Sequence, residues 1–301
     1  MSAEITIPSG GSGVDGLAGW HLPAGTDARR GPGGAPCVVM AHGFGATRDS
    51  GLLPFAEAFA AAGAHVVLFD YRGFGASPGE PRGDVDHRAH RRDYHAAIAY
   101  ARTLPGVDPA RIVLWGSSYS GGHVLPVAVA DGRVAGVIAQ GAAMDGLAAV
   151  AEILRYAGPL QLLRLTVHAL RDAAGALLGA APHRIGVVGP PGALAAITAP
   201  DAQEGYRAIM GPSFYNAMPA RGILAIPFNR PVTWARRLPC PILLVLAEDD
   251  TIAPPGAVRR VARAAAAGAE VLELDCGHFD VYRGRAFDIS LSAQLEFLAT
   301  L

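Results

Sequence analysis

The segment 112–122 (IVLWGSSYSGG) joins a strand-like run to a cluster of small residues and serines. Ser118 has Gly116 two positions before it and Ser120 two positions after it. Small residues at these positions suit a sharp strand-to-helix turn, because its strained backbone leaves no room for larger side chains. A serine on such a turn can act as a nucleophile towards acyl groups. The spacing therefore predicts Ser118 as the nucleophile of an enzyme.

Two neighbouring serines are alternatives to Ser118. Ser120 also has small residues two positions before and after it, whereas Ser117 lies close to two large aromatic residues that would crowd the turn. Ser118 is favoured because it follows Trp115, the last large side chain of the strand, by three positions. A Ser/Gly-rich turn with no catalytic role is the remaining interpretation, and the strand-turn-helix context argues against it.

A nucleophilic serine needs a general base, and the base needs a carboxylate that orients it. Asp249 and Asp250 follow the apolar run 242–246, and His278 follows the strand-like run 270–274. Both groups come just after sheet strands, where open α/β sheets bind their ligands. The order serine, acid, histidine along the chain is that of a hydrolase triad.

The elements around these residues alternate between apolar runs and helical patterns. Predicted strands cover 37–41, 65–69, 111–115 and 134–139, and predicted helices cover 53–62, 85–104 and a segment from about residue 120. Continuous apolar strands separated by helices are typical of a parallel sheet covered on both faces. The glycine-rich stretch 9–13 is predicted to be a turn between two short edge strands.

The alternation stops near Leu147 and resumes at Pro241. Between them the sequence is mostly helical and contains no equally clear strand, so it predicts a helical insertion over 147–237. The main domain would then consist of residues 1–146 and 238–301. The insertion is rich in leucine, which could line an acyl pocket or pack against the main domain. These leucines are Leu160, Leu162, Leu163, Leu165, Leu170, Leu177 and Leu178.

The chain resembles the α/β-hydrolase superfamily over nearly its whole length. The triad order carries this resemblance, together with the segment 42–45 (HGFG), which is similar to the family's oxyanion loop, and 70–75 (DYRGFG), similar to its next strand-end loop. The family's acid lies four residues before a proline in a D-x-x-[VA]-P segment, which selects Asp250 over Asp249. Ser120 departs from the common G-x-S-x-G pattern. Among the branches, the chain is similar to capped bacterial esterases and to serine-aminopeptidase and X-prolyl-peptidase-like groups.

The resemblance implies a mostly parallel central sheet with helices on both faces and a helical cap over the Ser118 pocket. It also implies that Ser118 attacks an acyl carbonyl, that His278 transfers the proton and that Asp250 orients the imidazole. Backbone N–H groups of Phe44 and Tyr119 would form the oxyanion hole. We expect a serine esterase without cofactor or metal. Peptide, amide or thioester cleavage, acyl transfer and a non-catalytic binding role are the alternatives.

The composition bounds the partners and the compartment. The 301 residues carry a net charge of -1 with a pI of about 6.8, so no net field attracts nucleic acid or an anionic membrane. All 25 basic residues are arginine, which excludes mechanisms that need a lysine. The N-terminus lacks a basic start followed by an apolar stretch, and charges interrupt the apolar segment 147–178. We expect a cytoplasmic protein that binds a small ester or acyl substrate, with its oligomeric state left open.

Two further groups of residues are interpreted as structural. Three scattered cysteines (Cys37, Cys240, Cys276) are too few for a disulfide framework or a zinc site. The helical segment 86–95 is dense in histidine and arginine. His87 and His90 could contribute to a metal site, but no third ligand is evident. A solvated helix face with local ion pairs is the favoured interpretation.

Overall fold

A computed structural model describes residues 2–9 and 15–301 of the protein. The strands are β1 (Ala3–Ile7), β2 (Leu17–Leu22), β3 (Ala35–Ala41), β4 (His65–Phe69), β5 (Val107–Ser117), β6 (Gly136–Gln140), β7 (Arg184–Val188), β8 (Ala195–Ile197), β9 (Met218–Pro219), β10 (Ile242–Ala247) and β11 (Ala269–Leu274). The helices are α1 (Leu53–Ala61), α2 (His87–Ala101), α3 (Tyr119–Asp131), α4 (Gly146–Leu177), α5 (Ala202–Ile209), α6 (Pro255–Ala264) and α7 (Gly284–Thr300). Short 3₁₀ helices cover Ala220–Phe228, Pro231–Arg237 and Asp280–Tyr282.

The central sheet has eight strands in the order β1-β2-β4-β3-β5-β6-β10-β11. Strands β1 and β2 are antiparallel to their neighbours, and the remaining pairs are parallel. Strands β3, β4, β6 and β10 are buried along their whole length, which is why they are apolar runs in the sequence apart from His65 at the start of β4 and Gln140 at the end of β6. The predicted α/β fold with a mostly parallel sheet is confirmed. Residues 10–13 of the predicted glycine-rich turn lie outside the described residues.

Helices cover both faces of this sheet and bury one apolar cluster on each. Alternate residues of β3 point to opposite faces, so that Val39 joins the cluster under α2 and α3 while Met40 joins the cluster under α1 and α7. Phe55 and Phe297 are fully buried members of the second cluster. The two clusters hold the strands in register and thereby fix where each strand ends.

The segment between β6 and β10 contains more than helices. It holds the long helix α4 and the helix α5, together with a small three-stranded sheet in the order β8-β7-β9. These strands have only two to five residues, too short to give a clear pattern in the sequence. Helix α4 bends at Gly158, whose φ of 77° and ψ of 174° are not helical, and Pro159 follows it. In the described part of the chain, no helix is long and apolar enough to cross a membrane.

The expectation of a solvated histidine face on α2 is wrong. His87 and His90 are only 6% and 1% exposed, and the His90 ring stacks on Tyr71 at 4.0 Å between ring centroids. Burial lowers the pKa of His90 well below its usual value, so this side chain is neutral and behaves as a packing group. Asp93 is also buried, and it accepts hydrogen bonds from the backbone N–H and Nε of Arg72 at 3.0 and 2.9 Å.

Candidate active site

Ser118 lies at the junction between β5 and α3 in a strained backbone conformation. Its φ of 59° and ψ of -120° make it the one non-glycine residue with positive φ among residues 2–9 and 15–301. The Ser118 N–H donates to the Gln140 carbonyl at 2.8 Å, and its own carbonyl accepts from the Ala143 N–H at 2.9 Å. Strain that is held by such contacts is typical of functional residues.

The neighbouring residues explain why this turn tolerates its sequence. A Cβ on Gly116 would lie 2.5 Å from the Ser120 carbonyl oxygen, so only glycine fits there. The Ser120 side chain fits because its buried hydroxyl lies 3.0 Å from the Ala41 carbonyl and 2.7 Å from the Tyr94 hydroxyl. Serine can therefore replace the usual second glycine, since its hydroxyl finds polar partners in the core.

Three side chains from distant parts of the sequence meet at this turn. His278 Nε2 lies 3.0 Å from Ser118 Oγ, and His278 Nδ1 lies 2.6 Å from Asp250 Oδ2. Asp250 Oδ1 accepts backbone hydrogen bonds from Ile252 at 2.8 Å and from Ala253 at 2.6 Å. All three side chains of this series are buried. The structure thus brings the predicted nucleophile, base and acid into one hydrogen-bonded chain.

The competing residues lie elsewhere. Asp249 is exposed, and its backbone N–H donates to the Cys276 carbonyl at 3.1 Å. The Ser117 hydroxyl lies 2.6 Å from the Tyr282 hydroxyl. Neither residue shares the hydrogen bonds that join Ser118 to His278 and Asp250.

The electrostatics of His278 follow from its burial beside a carboxylate. Burial alone would lower its pKa, but the charge and the hydrogen bond of Asp250 favour the protonated ring more strongly, so that the pKa is raised. With the Nδ1 proton donated to Asp250, the neutral ring presents an unprotonated Nε2 to the Ser118 hydroxyl. This is the tautomer that a general base requires.

Both residues predicted for the oxyanion hole line the pocket that contains Ser118. Tyr119 is the first residue of α3, where backbone N–H groups have no partner within the helix. Phe44 belongs to the loop after β3, which approaches Ser118 closely: a Cβ on Gly43 would lie 3.0 Å from Ser118 Cβ. The arrangement is suited to stabilising negative charge next to Ser118.

Sequence reasoning missed two side chains that hold the Phe44 loop. Burial lowers the pKa of His42 to about 4, and its neutral ring donates from Nδ1 to the Gly43 carbonyl at 3.0 Å. The Tyr206 hydroxyl on α5 donates to the Phe44 carbonyl at 2.7 Å. The HGFG motif pointed to the loop, but no local signal marks Tyr206, which is 162 residues further along the chain.

Comparison with known proteins gives the family. The sequence model of the family described as alpha/beta hydrolase fold matches residues 36–284 of the chain. The chain belongs to the α/β-hydrolase family. This α/β hydrolase is 40% identical over 265 residues to the quorum-quenching protein AidA of Acinetobacter baumannii. The aligned region covers 87% of this chain and 86% of AidA. It is 30% identical over 287 residues to the polyketide transferase af380 of Aspergillus fumigatus, across 94% of this chain and 93% of that protein.

The fold of this α/β hydrolase also agrees with a solved structure. The crystal structure of the α/β hydrolase GrgF from Penicillium superposes with a TM-score of 0.78 at 26% identity, covering 100% of this chain and 98% of GrgF. The predicted membership of the superfamily is therefore confirmed.

The pocket of this α/β hydrolase is lined mainly by apolar side chains. Concave, mostly apolar sites of this kind bind small molecules. Ser118 is one of the lining residues, and much of the wall comes from the segment between β6 and β10. Apolar wall residues include Ala149, Ile153, Tyr156, Ile197, Ile226 and Ile252. Such a wall can accommodate an acyl group next to the Ser118 hydroxyl.

Two carboxylates line the pocket, and each is paired with arginine. Asp145 lies 2.8 Å from Arg230 Nε and 3.0 Å from Arg260 Nη2, and Glu152 pairs with Arg155. Burial alone would raise the pKa of Asp145, but the hydrogen bonds from Arg230 and the neighbouring groups lower it. Asp145 thus stays ionised, and both carboxylates of the pocket are compensated by arginine.

Proposed function

We propose that this protein is a serine hydrolase that cleaves carboxylic esters through an acyl-enzyme intermediate. The observation that carries the proposal is the hydrogen-bonded series of Asp250, His278 and Ser118, with Ser118 on a strained turn that lines a mainly apolar pocket. The family shown by the comparisons supports hydrolase chemistry. In this proposal the segment 147–237 is a cap that encloses the acyl group of the substrate.

The proposed reaction has two stages. In the first, Ser118 Oγ attacks the ester carbonyl while His278 Nε2 takes its proton, and the oxyanion accepts hydrogen bonds from the Phe44 and Tyr119 N–H groups. The C–O bond breaks, and the leaving alkoxide takes the proton from His278. In the second stage His278 deprotonates a water molecule that attacks the acyl-enzyme, and Ser118 regains its proton as the acid leaves.

The relatives favour a second candidate function, acyl transfer. One relative, 30% identical across 94% of this chain, is named a polyketide transferase. Transfer uses the same acyl-enzyme, but an alcohol or amine acceptor replaces water in the second stage. The apolar, charge-compensated pocket is compatible with either acceptor.

A labelling experiment followed by a substrate panel tests the proposal. We expect a fluorophosphonate probe to label Ser118, because only an activated serine reacts with it. We then expect turnover of p-nitrophenyl esters of increasing chain length to exceed that of matched thioesters and aminoacyl amides. Adding an alcohol acceptor separates hydrolysis from transfer through the products formed. Absence of labelling would favour a binding protein, and preferred amide or thioester turnover would contradict the ester assignment.

The pH profile of ester hydrolysis is the first prediction. His278 accepts the Ser118 proton only when it is neutral, so kcat/KM should be low in acid and rise with pH. Because Asp250 raises the pKa of His278, the midpoint should lie above the ordinary histidine value of about 6.5. Initial rates from about pH 5 to about pH 9 measure this profile. Enzyme incubated at each pH and assayed at one common pH controls for unfolding. A midpoint below the ordinary value, or a rate that falls with rising pH, would contradict the assignment.

A further inference from the structure

The second half of α4, from Pro159 to Leu177, carries a row of exposed apolar side chains. The sequence suggested that the leucines of this region line an acyl pocket or pack against the main domain, and Leu165 does pack there at 1% exposure. Most of the others do neither. The exposed members are Leu160 (67%), Leu163 (59%), Val167 (56%), Leu170 (55%) and Leu177 (90%), and Ala174 between the last two is exposed as well. We call these six residues the α4 seam.

The spacing of the seam is regular. Its residues follow one another at intervals of three, four, three, four and three. This is the a/d pattern by which one helix packs along another, and it is narrower than the face with which a helix covers a globular core. The opposite face of α4 is buried through Gln161, Leu165, Ala169 and Asp172. The helix is therefore fixed to the body of the protein by one face and presents the seam on the other.

The size of the seam matters for what it can bind. Neighbours three and four apart on a helix touch, so the six side chains form one patch on the order of 500 Å². That is near the upper end of what soluble monomers expose as one patch. Two seams packed together would bury on the order of 1,000 Å², about the minimum for a specific protein interface.

The chemistry of the seam fits a helix better than a lipid surface. It contains only Leu, Val and Ala, without the aromatic residues and the strongly basic polar face of helices that lie on membranes. The flanking charges are Arg164 and Arg171 on one side, while Thr166 and Ala173 on the other side are uncharged. The Arg164 guanidinium donates to the Gly192 carbonyl at 3.0 Å and is held against its own chain.

We propose that the α4 seam packs against the α4 seam of a second copy and forms a homodimer. A two-fold axis places the same apolar row on both partners, so each seam meets a surface of matching shape and spacing. When the two helices run parallel, with the two-fold axis along them, the uncharged flank of one helix faces the arginine flank of the other, which avoids like-charge contacts.

The test compares the wild-type protein with the double variant Leu163→Glu/Leu170→Glu. Size-exclusion chromatography with light scattering should give twice the chain mass of 31.0 kDa for the wild type and 31.0 kDa for the variant. We expect the dimer dissociation constant to rise ~100-fold or more, because central apolar contacts carry most of the energy of an interface. Circular dichroism and thermal unfolding confirm that the variant folds. The matched control is Val271→Glu/Ile289→Glu, which adds the same charges at two exposed apolar sites outside α4 and should remain dimeric.

Three outcomes would overturn the proposal. The wild type could be a monomer at every concentration. The seam variant could remain a dimer, which would place the interface elsewhere. A monomeric wild type could instead sediment with anionic phosphatidylserine vesicles and lose this binding in the seam variant, which would assign the seam to a membrane surface.

Discussion

Ser118→Ala should lower kcat/KM for ester hydrolysis by ~10⁴-fold or more, the largest effect that we expect from a single substitution. The variant keeps the pocket and the backbone N–H groups next to it, but it has no oxygen to attack the carbonyl. His278 lies 3.0 Å from that oxygen, so its base function also loses its target. Steady-state kinetics with a p-nitrophenyl ester measure the loss, and circular dichroism confirms the fold.

Ser117→Ala is the matched control, since it removes the adjacent hydroxyl from the same turn. That hydroxyl contacts Tyr282 and the Gln140 carbonyl rather than His278. Its loss should cost less than about tenfold in kcat/KM, because these hydrogen bonds do not involve His278 or Asp250 and each typically contributes only about 1 kcal/mol. Fluorophosphonate labelling should disappear in Ser118→Ala and persist in Ser117→Ala. Substantial turnover by Ser118→Ala would show that another residue is the nucleophile.

Asp250→Asn should reduce kcat by about 10⁴-fold, because an amide in place of the carboxylate favours the wrong tautomer of the histidine. Asp250 Oδ1 can still accept from Ile252 and Ala253, so the side chain should keep its position while its NH₂ group faces His278 Nδ1. The local structure should therefore survive the substitution, and the loss would report on the imidazole alone. Kinetics of the purified variant measure it.

Asp249→Asn tests the alternative acid at the neighbouring position. The Asp249 side chain is exposed and lies outside the hydrogen-bonded series, so its activity should stay within about threefold of the wild type. Both variants remove one negative charge from the same loop, which controls for the change in net charge. Equal losses at the two positions would mean that Asp250 is not the residue that orients His278.

Much of the fold was predictable from the sequence for a simple physical reason. Parallel strands that are covered on both faces must be apolar throughout, and β4 and β10 appear in the sequence as such runs. Residues that follow parallel strands meet at one edge of the sheet, so Ser118 after β5 and His278 after β11 could be predicted as neighbours. The choice of Asp250 over Asp249 needed the family's proline spacing, since local chemistry alone does not distinguish two adjacent carboxylates.

Features that depend on contacts between distant segments could not be predicted in this way. His90 looks like a surface residue in a charged helix, yet it is neutral and stacks on Tyr71, because its burial depends on the loop after β4. Tyr206 holds the Phe44 loop through a hydrogen bond that no local pattern encodes. The exposure of the α4 leucines could not be predicted from the sequence either. Helical periodicity gives their spacing, but which row faces the core and which faces outward depends on how the bent helix packs against the rest of the chain.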